Sequence, residues 1–448
     1  MNANRSSRTA AHRKKRKRQQ ASRLLLAAAV VLIIWGGYSY WNQRTDREAA
    51  QTPSTTEPPP SAASVEPSAS VAASGSPIGE EPTPQPPAES TLPSPVDTGG
   101  ATASSNPLPT ASAAESILTG SPIPYEPGVF NDPARVQMSF VGDVLLGSTV
   151  EKLLTTYGYD YPYRQILPYL KRADVTVADL ETPITNGAGA KQDKQYVYTS
   201  SPSTLPAFKD AGFDLVNLAN NHVMDYGVEG LLETFRHLED QDIPYVGAGR
   251  NAKEAFSPVI VERKGMKIAF LGFSRVVPDA SWKAGASAPG VADTYNYTLP
   301  VEAIKQAKEQ ANLVVVIAHW GVERQDMPED YQRELAHRFI DAGADLIVAS
   351  HPHVLQGFER YKDKWIAYSL GNFIFTTNDV VKTWDSTVLE ASCTQDGDCA
   401  LNAVPVLTKA AQPTVMLPDE AKQLFRRLTS ISFGVKVMDN GNIVPVRP

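Results

Sequence analysis

Along this chain, apolar residues cluster in short runs of the kind that form buried strands. Five of these runs, 136–143, 175–181, 217–225, 313–319 and 346–353, end at side chains able to bind a metal or move a proton. The most abrupt is Asn217-Leu218-Ala219-Asn220-Asn221-His222-Val223-Met224-Asp225, where an apolar run gives way to amides, an imidazole and a carboxylate. Open α/β sheets gather their chemistry at the carboxyl ends of parallel strands. The five ends are therefore expected to converge on one site.

Helical periodicity separates the strands. Residues 227–241 place Leu231, Leu232, Phe235 and Leu238 at helical spacing, and helices are also expected over 163–172, 203–211, 300–310 and 331–342. Residues 259–263 and 267–273 read as a hairpin turning at Lys264-Gly265. Such alternation predicts an α/β domain with a largely parallel sheet over 135–375. Beyond it, 387–392, 400–408 and 435–439 read as strands and 418–427 as a helix. The segment 376–448 is expected to be a β-rich extension packed on the same domain, with a small separate domain as the alternative.

The first third of the chain is patterned differently. Arg13-Lys14-Lys15-Arg16-Lys17-Arg18 precedes an uncharged apolar run over 24–41, about long enough to span a bilayer. Trp35, Tyr38, Tyr40 and Trp41 sit where an interfacial aromatic belt would lie. Lysine and arginine are retained on the cytoplasmic side. Residues 1–23 are thus expected as a cytoplasmic leader and 24–41 as a single transmembrane signal anchor, with the body outside the cell membrane. A cleaved signal peptide is the alternative, although Gly36-Gly37-Tyr38-Ser39-Tyr40-Trp41 offers no small-x-small cleavage site. Residues 42–130 are rich in Pro, Ser and Thr, and cannot bury enough apolar surface to offset their ordering entropy. They are expected as a disordered stalk.

Composition adds three constraints. At 448 residues the chain can hold one large or two ordinary domains. Its formal charge of −7 combines a basic leader with an acidic remainder, which argues against a nucleic-acid partner. The only two cysteines, Cys393 and Cys399, flank Thr394-Gln395-Asp396-Gly397-Asp398. That is hairpin turn chemistry, and outside the cell it favours a disulfide over a metal pair.

Four of the seven histidines, His222, His319, His351 and His353, end apolar strands beside Asp143, Glu181 and Asn221. Imidazole and carboxylate without thiolate suit one or two divalent ions, manganese, iron or zinc. A carboxylate such as Glu181 can bridge two ions, and two ions about 3.5–4 Å apart can hold a hydroxide for attack on phosphorus. His12, His237 and His337 lie in the basic leader or in amphipathic helices, and are expected to have surface or packing roles. No Gly-x-Ser-x-Gly elbow and no phosphate-binding glycine loop is present.

Six blocks carry a resemblance. They are Phe140-Val141-Gly142-Asp143-Val144-Leu145-Leu146-Gly147, Ala178-Asp179-Leu180-Glu181, residues 217–227, Ala318-His319-Trp320-Gly321-Val322-Glu323, Ser350-His351-Pro352-His353 and Ser369-Leu370-Gly371-Asn372-Phe373. Together they resemble the CapA-type poly-γ-glutamate capsule-biosynthesis family, itself similar to calcineurin-like metallophosphoesterases. The resemblance implies a four-layer αββα fold with a two-metal cleft. Asp143 would hold one ion, Glu181 would bridge both, and His353 would complete the first set. Asn221, His319 and His351 would hold the second ion. His222 would face the substrate as proton donor or transition-state stabiliser. Asp225 and Glu323 would orient imidazoles, or else cap helices. Asn372 would either touch substrate or pack beside the site. Leu145 stands where the phosphoesterase pattern has a histidine, and Glu181 where it has an aspartate.

The function implied is poly-γ-glutamate synthesis or export, beside a ligase and a small membrane subunit, with the anionic polymer meeting metal ions or Lys191 and Lys194. The alternative is a cell-surface metal-dependent hydrolase of a phosphoester or amide. A binding module with a relic site is the third reading.

Overall fold

A computed structural model describes residues 132–446. The expected leader, membrane helix and stalk lie outside the described residues. Among the described residues no helix is long and apolar enough to cross a membrane.

Strand β1 (Val136–Val144) is buried along its whole length, which requires cover on both faces. Helices α1 (Thr149–Tyr157) and α2 (Leu167–Lys171) carry the chain to β2 (Val175–Leu180), α3 (Leu205–Asp210) to β3 (Leu215–Asn217), and α4 (Gly227–Glu239) to β4 (Tyr245–Val246). These four strands are parallel neighbours. A two-residue strand, β5 (Ala248–Gly249), and helix α5 (Ala252–Ala255) precede a hairpin of β6 (Val259–Arg263) and β7 (Met266–Ser274). The hairpin turns through Lys264 and Gly265, both at positive φ, as a type I′ turn requires.

Strand β8 (Gly290–Val291) pairs with β5, and the chain continues through α6 (Thr298–Gln310), β9 (Leu313–His319), α7 (Asp330–Ala342) and β10 (Leu346–Ser350). β7, β9 and β10 are parallel. A second hairpin, β11 (Leu355–Tyr361) and β12 (Lys364–Leu370), joins β10 through β12, and β13 (Asn372–Ile374) pairs with the end of β1. The remainder is β14 (Asp385–Cys393), β15 (Cys399–Lys409), β16 (Gln412–Val415), α8 (Pro418–Ser430), β17 (Val435–Val437) and β18 (Asn442–Pro445).

Two large sheets result. One has ten strands in the order β17-β18-β15-β14-β1-β2-β3-β4, with β13 on β1 and β16 on β15; the other has six, β11-β12-β10-β9-β7-β6. They face each other across one apolar core that joins Met138 and Phe140 of β1 to Phe270, Val315 and Val348 of the six-stranded sheet. Helices α1 to α4 cover the outer face of the larger sheet through Val150, Leu154, Phe208, Leu231 and Phe235. Helices α6 and α7 cover the outer face of the smaller one through Ile304, Ala307, Ala336 and Phe339. The architecture is a mixed α/β sandwich.

The structure departs from the sequence expectations in some elements and follows them in others. The five metal-ending runs do not share a sheet: three belong to the larger and two to the smaller. The C-terminal strands pair antiparallel onto β1 through β14, so the tail completes the larger sheet. Helix α1 was not expected, because Thr149, Thr155 and Thr156 weaken a helical reading; burial of Val150 and Leu154, one turn apart, holds it in place. Helix α2 is shorter than 163–172, starting where Pro168 occupies its first turn. Cys393 and Cys399 stand opposite each other at the end of the β14–β15 hairpin and are joined in a disulfide.

Candidate metal centre

Strand register lines up the polar ends. Asp143, Asp179 and Asn217 share one row across β1, β2 and β3, and Ser274, His319 and Ser350 share one across β7, β9 and β10. The register between β1 and β2 shifts between Phe140 and Asp143, an irregularity of the kind that re-aims side chains beside sites. Glu181, Asn221, His222, His351 and His353 stand just past the strand ends, so the two sheets present their ligand-type residues to one cleft.

Two groups of donors meet there. In the first, His353 Nδ1 lies 3.1 Å from Asp143 Oδ2, 3.0 Å from Asn372 Oδ1 and 3.9 Å from Glu181 Oε2. In the second, His319 Nε2 lies 2.8 Å from Asn221 Oδ1 and 3.6 Å from Glu181 Oε1, and the His351 ring centroid is 4.7 Å from that of His319. Asp143 is further fixed by accepting the His351 backbone N–H at 3.1 Å. His351 and His353 both have positive φ, 101° and 56°. Such a conformation costs a non-glycine residue roughly 1–3 kcal/mol and persists only where its surroundings enforce it.

The donor chemistry fits a divalent cation. Glu181 is fully buried, and neither carboxylate oxygen has a hydrogen-bond partner; a buried charge left this way is costly unless a cation satisfies it. The His319 Nδ1–H donates to Asp179 Oδ2 at 2.7 Å, which leaves its Nε2 lone pair facing the Asn221 and Glu181 oxygens. In the neutral imidazole these acceptors face one another, an arrangement that a cation between them would satisfy. His351 Nδ1 is likewise buried without a partner.

The crowding of buried ionisable groups also shifts their titration. Burial, then the charges of Asp143, Asp179 and Glu323, push the Glu181 carboxyl well above the usual range, with Lys194 opposing. Burial also raises Asp179, against the pull of His319. For Asp143 burial acts upward too, but the hydrogen bond and charge of His353 prevail and lower it. Burial and the neighbouring imidazoles hold His351 well below the ordinary histidine value, leaving it a neutral lone-pair donor. For His353 burial acts downward, but the bond to Asp143 prevails and raises it.

Asp179 is the residue the sequence reading passed over. It lies close enough to Asp143 and His319 to be grouped with them as a ligand, yet its oxygens are already committed. Oδ2 accepts from His319 and, at 3.1 Å, from Ser350 Oγ; Oδ1 accepts from Asn217 Nδ2 at 2.7 Å. Its task is to fix the tautomer and aim of His319. The available signal was a charged residue inside the apolar strand, two positions before Glu181. Replacing Asp179 with Asn is expected to weaken metal binding by about 10- to 100-fold with the fold retained, as measured by chelator competition alongside circular dichroism.

His222 stands apart from the ligands. Its Nδ1 is 2.8 Å from Asp225 Oδ2, which also accepts the Tyr198 N–H at 2.7 Å. Lys194 Nζ reaches Asp225 Oδ1 and the Asn221 carbonyl, each at 2.5 Å. With Nδ1 engaged, Nε2 remains for a substrate. Burial lowers the His222 pKa while Asp225 opposes. The Tyr198 ring packs 4.5 Å from His222 and the Phe375 ring 4.7 Å from His353, giving the cleft an aromatic wall.

Other candidates contribute less. Glu323 lies in an exposed turn after β9 and, among the described residues, hydrogen-bonds no imidazole; only its charge reaches the centre. Asp225 orients an imidazole and Glu323 does not. Lys191 is exposed. Leu145 is buried and offers no donor.

Comparison with known proteins places the chain in a family. Capsule biosynthesis protein CapA of Bacillus anthracis is 37% identical over 307 residues, covering 66% of this chain and 73% of that protein. PGA biosynthesis protein CapA of Bacillus subtilis is 36% identical over 306 residues, covering 67% and 80%. Among solved structures, the NAD nucleotidase of Haemophilus influenzae is 14% identical with a TM-score of 0.39, covering 67% of this chain and 63% of that one, a likeness too slight to carry an argument. Residues 137–377, more than half of the chain, match the family model for the bacterial capsule synthesis protein PGA_cap, and the chain belongs to that family.

Proposed function

We propose that this protein serves poly-γ-glutamate capsule synthesis or export at the outer face of the cell membrane, anchored through residues 24–41, with a two-ion centre of the calcineurin-like metallophosphoesterase type. The observation that carries the metal part is Glu181, whose two buried, unpartnered oxygens face the two donor groups. Asp143 and His353 would hold one ion, Asn221, His319 and His351 the other, and manganese, iron or zinc suits such donors. Bound ions of this kind supply Lewis acidity and a water of lowered pKa. The polymer reading draws on the relatives, named for capsule and PGA biosynthesis; its partners would be a ligase and a small membrane subunit.

Within the cleft, His222 would exchange a proton through Nε2 while Asp225 holds Nδ1, the arrangement expected of a positioned acid–base group. Lys194 would hold Asp225 in place through their ion pair. Tyr198 and Phe375 would limit water at the reacting bond. The His222–Asp225 pair favours hydrolysis as the chemistry, so a phosphoester or amide hydrolase acting outside capsule synthesis is the second reading.

The test is complementation of a deletion strain with wild-type protein and with His351→Ala, reading polymer amount and chain length. Wild type is expected to restore both and His351→Ala neither. Unchanged polymer in the deletion strain would overturn the capsule reading. Full rescue by His351→Ala would overturn the role of the metal.

A further inference from the structure

The first donor group is short of ligands: Asp143 and His353 are its own, Glu181 is shared, and Leu145 supplies nothing. Four or more donors are the rule for manganese, iron or zinc. Asn372 fills the gap. It begins β13, in register with Asp143 across the β1–β13 pairing, and is 2% exposed. Its orientation is set from behind, because Nδ2 donates to the Thr383 carbonyl at 3.2 Å. The amide oxygen is therefore the atom that faces the cleft.

What it faces is informative. One imidazole nitrogen, His353 Nδ1, has three oxygens around it: Asn372 Oδ1 at 3.0 Å, Asp143 Oδ2 at 3.1 Å and Glu181 Oε2 at 3.9 Å. They arrive from three separate segments: β13, β1 and the turn after β2. A single N–H can direct a strong hydrogen bond at only one of them. Three oxygens and a nitrogen converge from separate segments, more partners than one hydrogen bond uses and the arrangement of the inner face of a coordination shell.

Resting on the metal reading above, we propose that Asn372 is a direct ligand of the first ion, through Oδ1, in place of the histidine that Leu145 does not provide. This makes the first position richer in oxygen than the second, with two carboxylates and an amide beside one imidazole. Oxygen-rich sets suit manganese better than zinc. Asn372 thereby belongs to the metal and not to the substrate.

The test counts manganese in the full-length, detergent-solubilised protein after loading. Wild type is expected to hold two ions per chain, Asn372→Ala one, and Asn372→Asp two, since a carboxylate can take the same place. Electron–nuclear double resonance on manganese-loaded Asn221→Asp protein carrying 13C-labelled asparagine separates a ligand from a mere anchor of His353. A 13C coupling that disappears in Asn221→Asp/Asn372→Asp is expected. Two ions in Asn372→Ala, or a lost ion without any 13C coupling, would overturn the proposal while leaving the metal centre standing. Wild-type protein that takes up no ion under any loading would instead overturn the metal reading, and the assignment of Asn372 with it.

Discussion

Glu181→Ala protein is expected to emerge almost free of metal. Both donor groups include a Glu181 oxygen, so a single truncation strips a ligand from each ion and removes the charge that links them. Losing only an outer hydrogen-bond partner of a ligand typically costs about 10- to 100-fold in affinity; losing a shared ligand should cost more than the upper end of that range. Plasma mass spectrometry on wild type and variant gives the answer, and wild-type metal content in the variant would refute the bridging role. The same variant makes a second, opposite statement. In excess chelator the wild type buries a carboxylate with no partner, so Glu181→Ala should melt no lower than wild type there. A variant that loses metal and also melts far lower in chelator would show that Glu181 is structural.

The second large effect belongs to Gly142→Ala. A Cβ at this position would lie 1.8 Å from the Gly371 carbonyl oxygen and 3.0 Å from its carbon. Both are backbone atoms, so no side chain can rotate away to make room. Relief requires moving β1 away from the start of β13, which breaks the Asp143 N–H bond to Gly371 O at 3.0 Å. Overpacking of this sort costs about 1–3 kcal/mol, occasionally more, and here a buried hydrogen bond is lost as well. A loss of about 3 kcal/mol is expected, read as a lower urea midpoint at unchanged slope. Metal content should fall too, because Asp143 and Asn372 flank the forced gap. A midpoint within error of wild type would show that the contact relaxes by some other route.

Much of the proposed site was legible because its candidate ligands sit at the ends of apolar runs, where a polar residue has no packing role to explain it. Asp143, Asn221, His319 and His351 stood out for that reason. The division between two sheets was not legible: a strand buried on both faces reads the same in either sheet, and pairing across the sandwich leaves no periodic mark. Asp179 was hidden by its position inside the apolar run, which made it look like part of the strand and not of the site. Glu323 misled in the opposite way, since a carboxylate a few residues past His319 suggests an orienting partner until the turn is seen to leave it exposed. Asn372 could be placed near the site but not assigned a role, because only the donor behind its amide tells which atom faces inward.

The disposition of the ligands has a thermodynamic consequence. Asp143, Glu181, Asn221 and Asn372 extend from the ten-stranded sheet, and His319, His351 and His353 from the six-stranded one, so each ion would be a rivet through both halves of the sandwich. A ligand bound only by the folded chain adds stability as its concentration exceeds its dissociation constant, about 2.7 kcal/mol at a hundredfold excess. The metal supply around the protein would then set how firmly the two halves are clamped. The amount of intact protein, and not only its activity, would become a gauge of free metal.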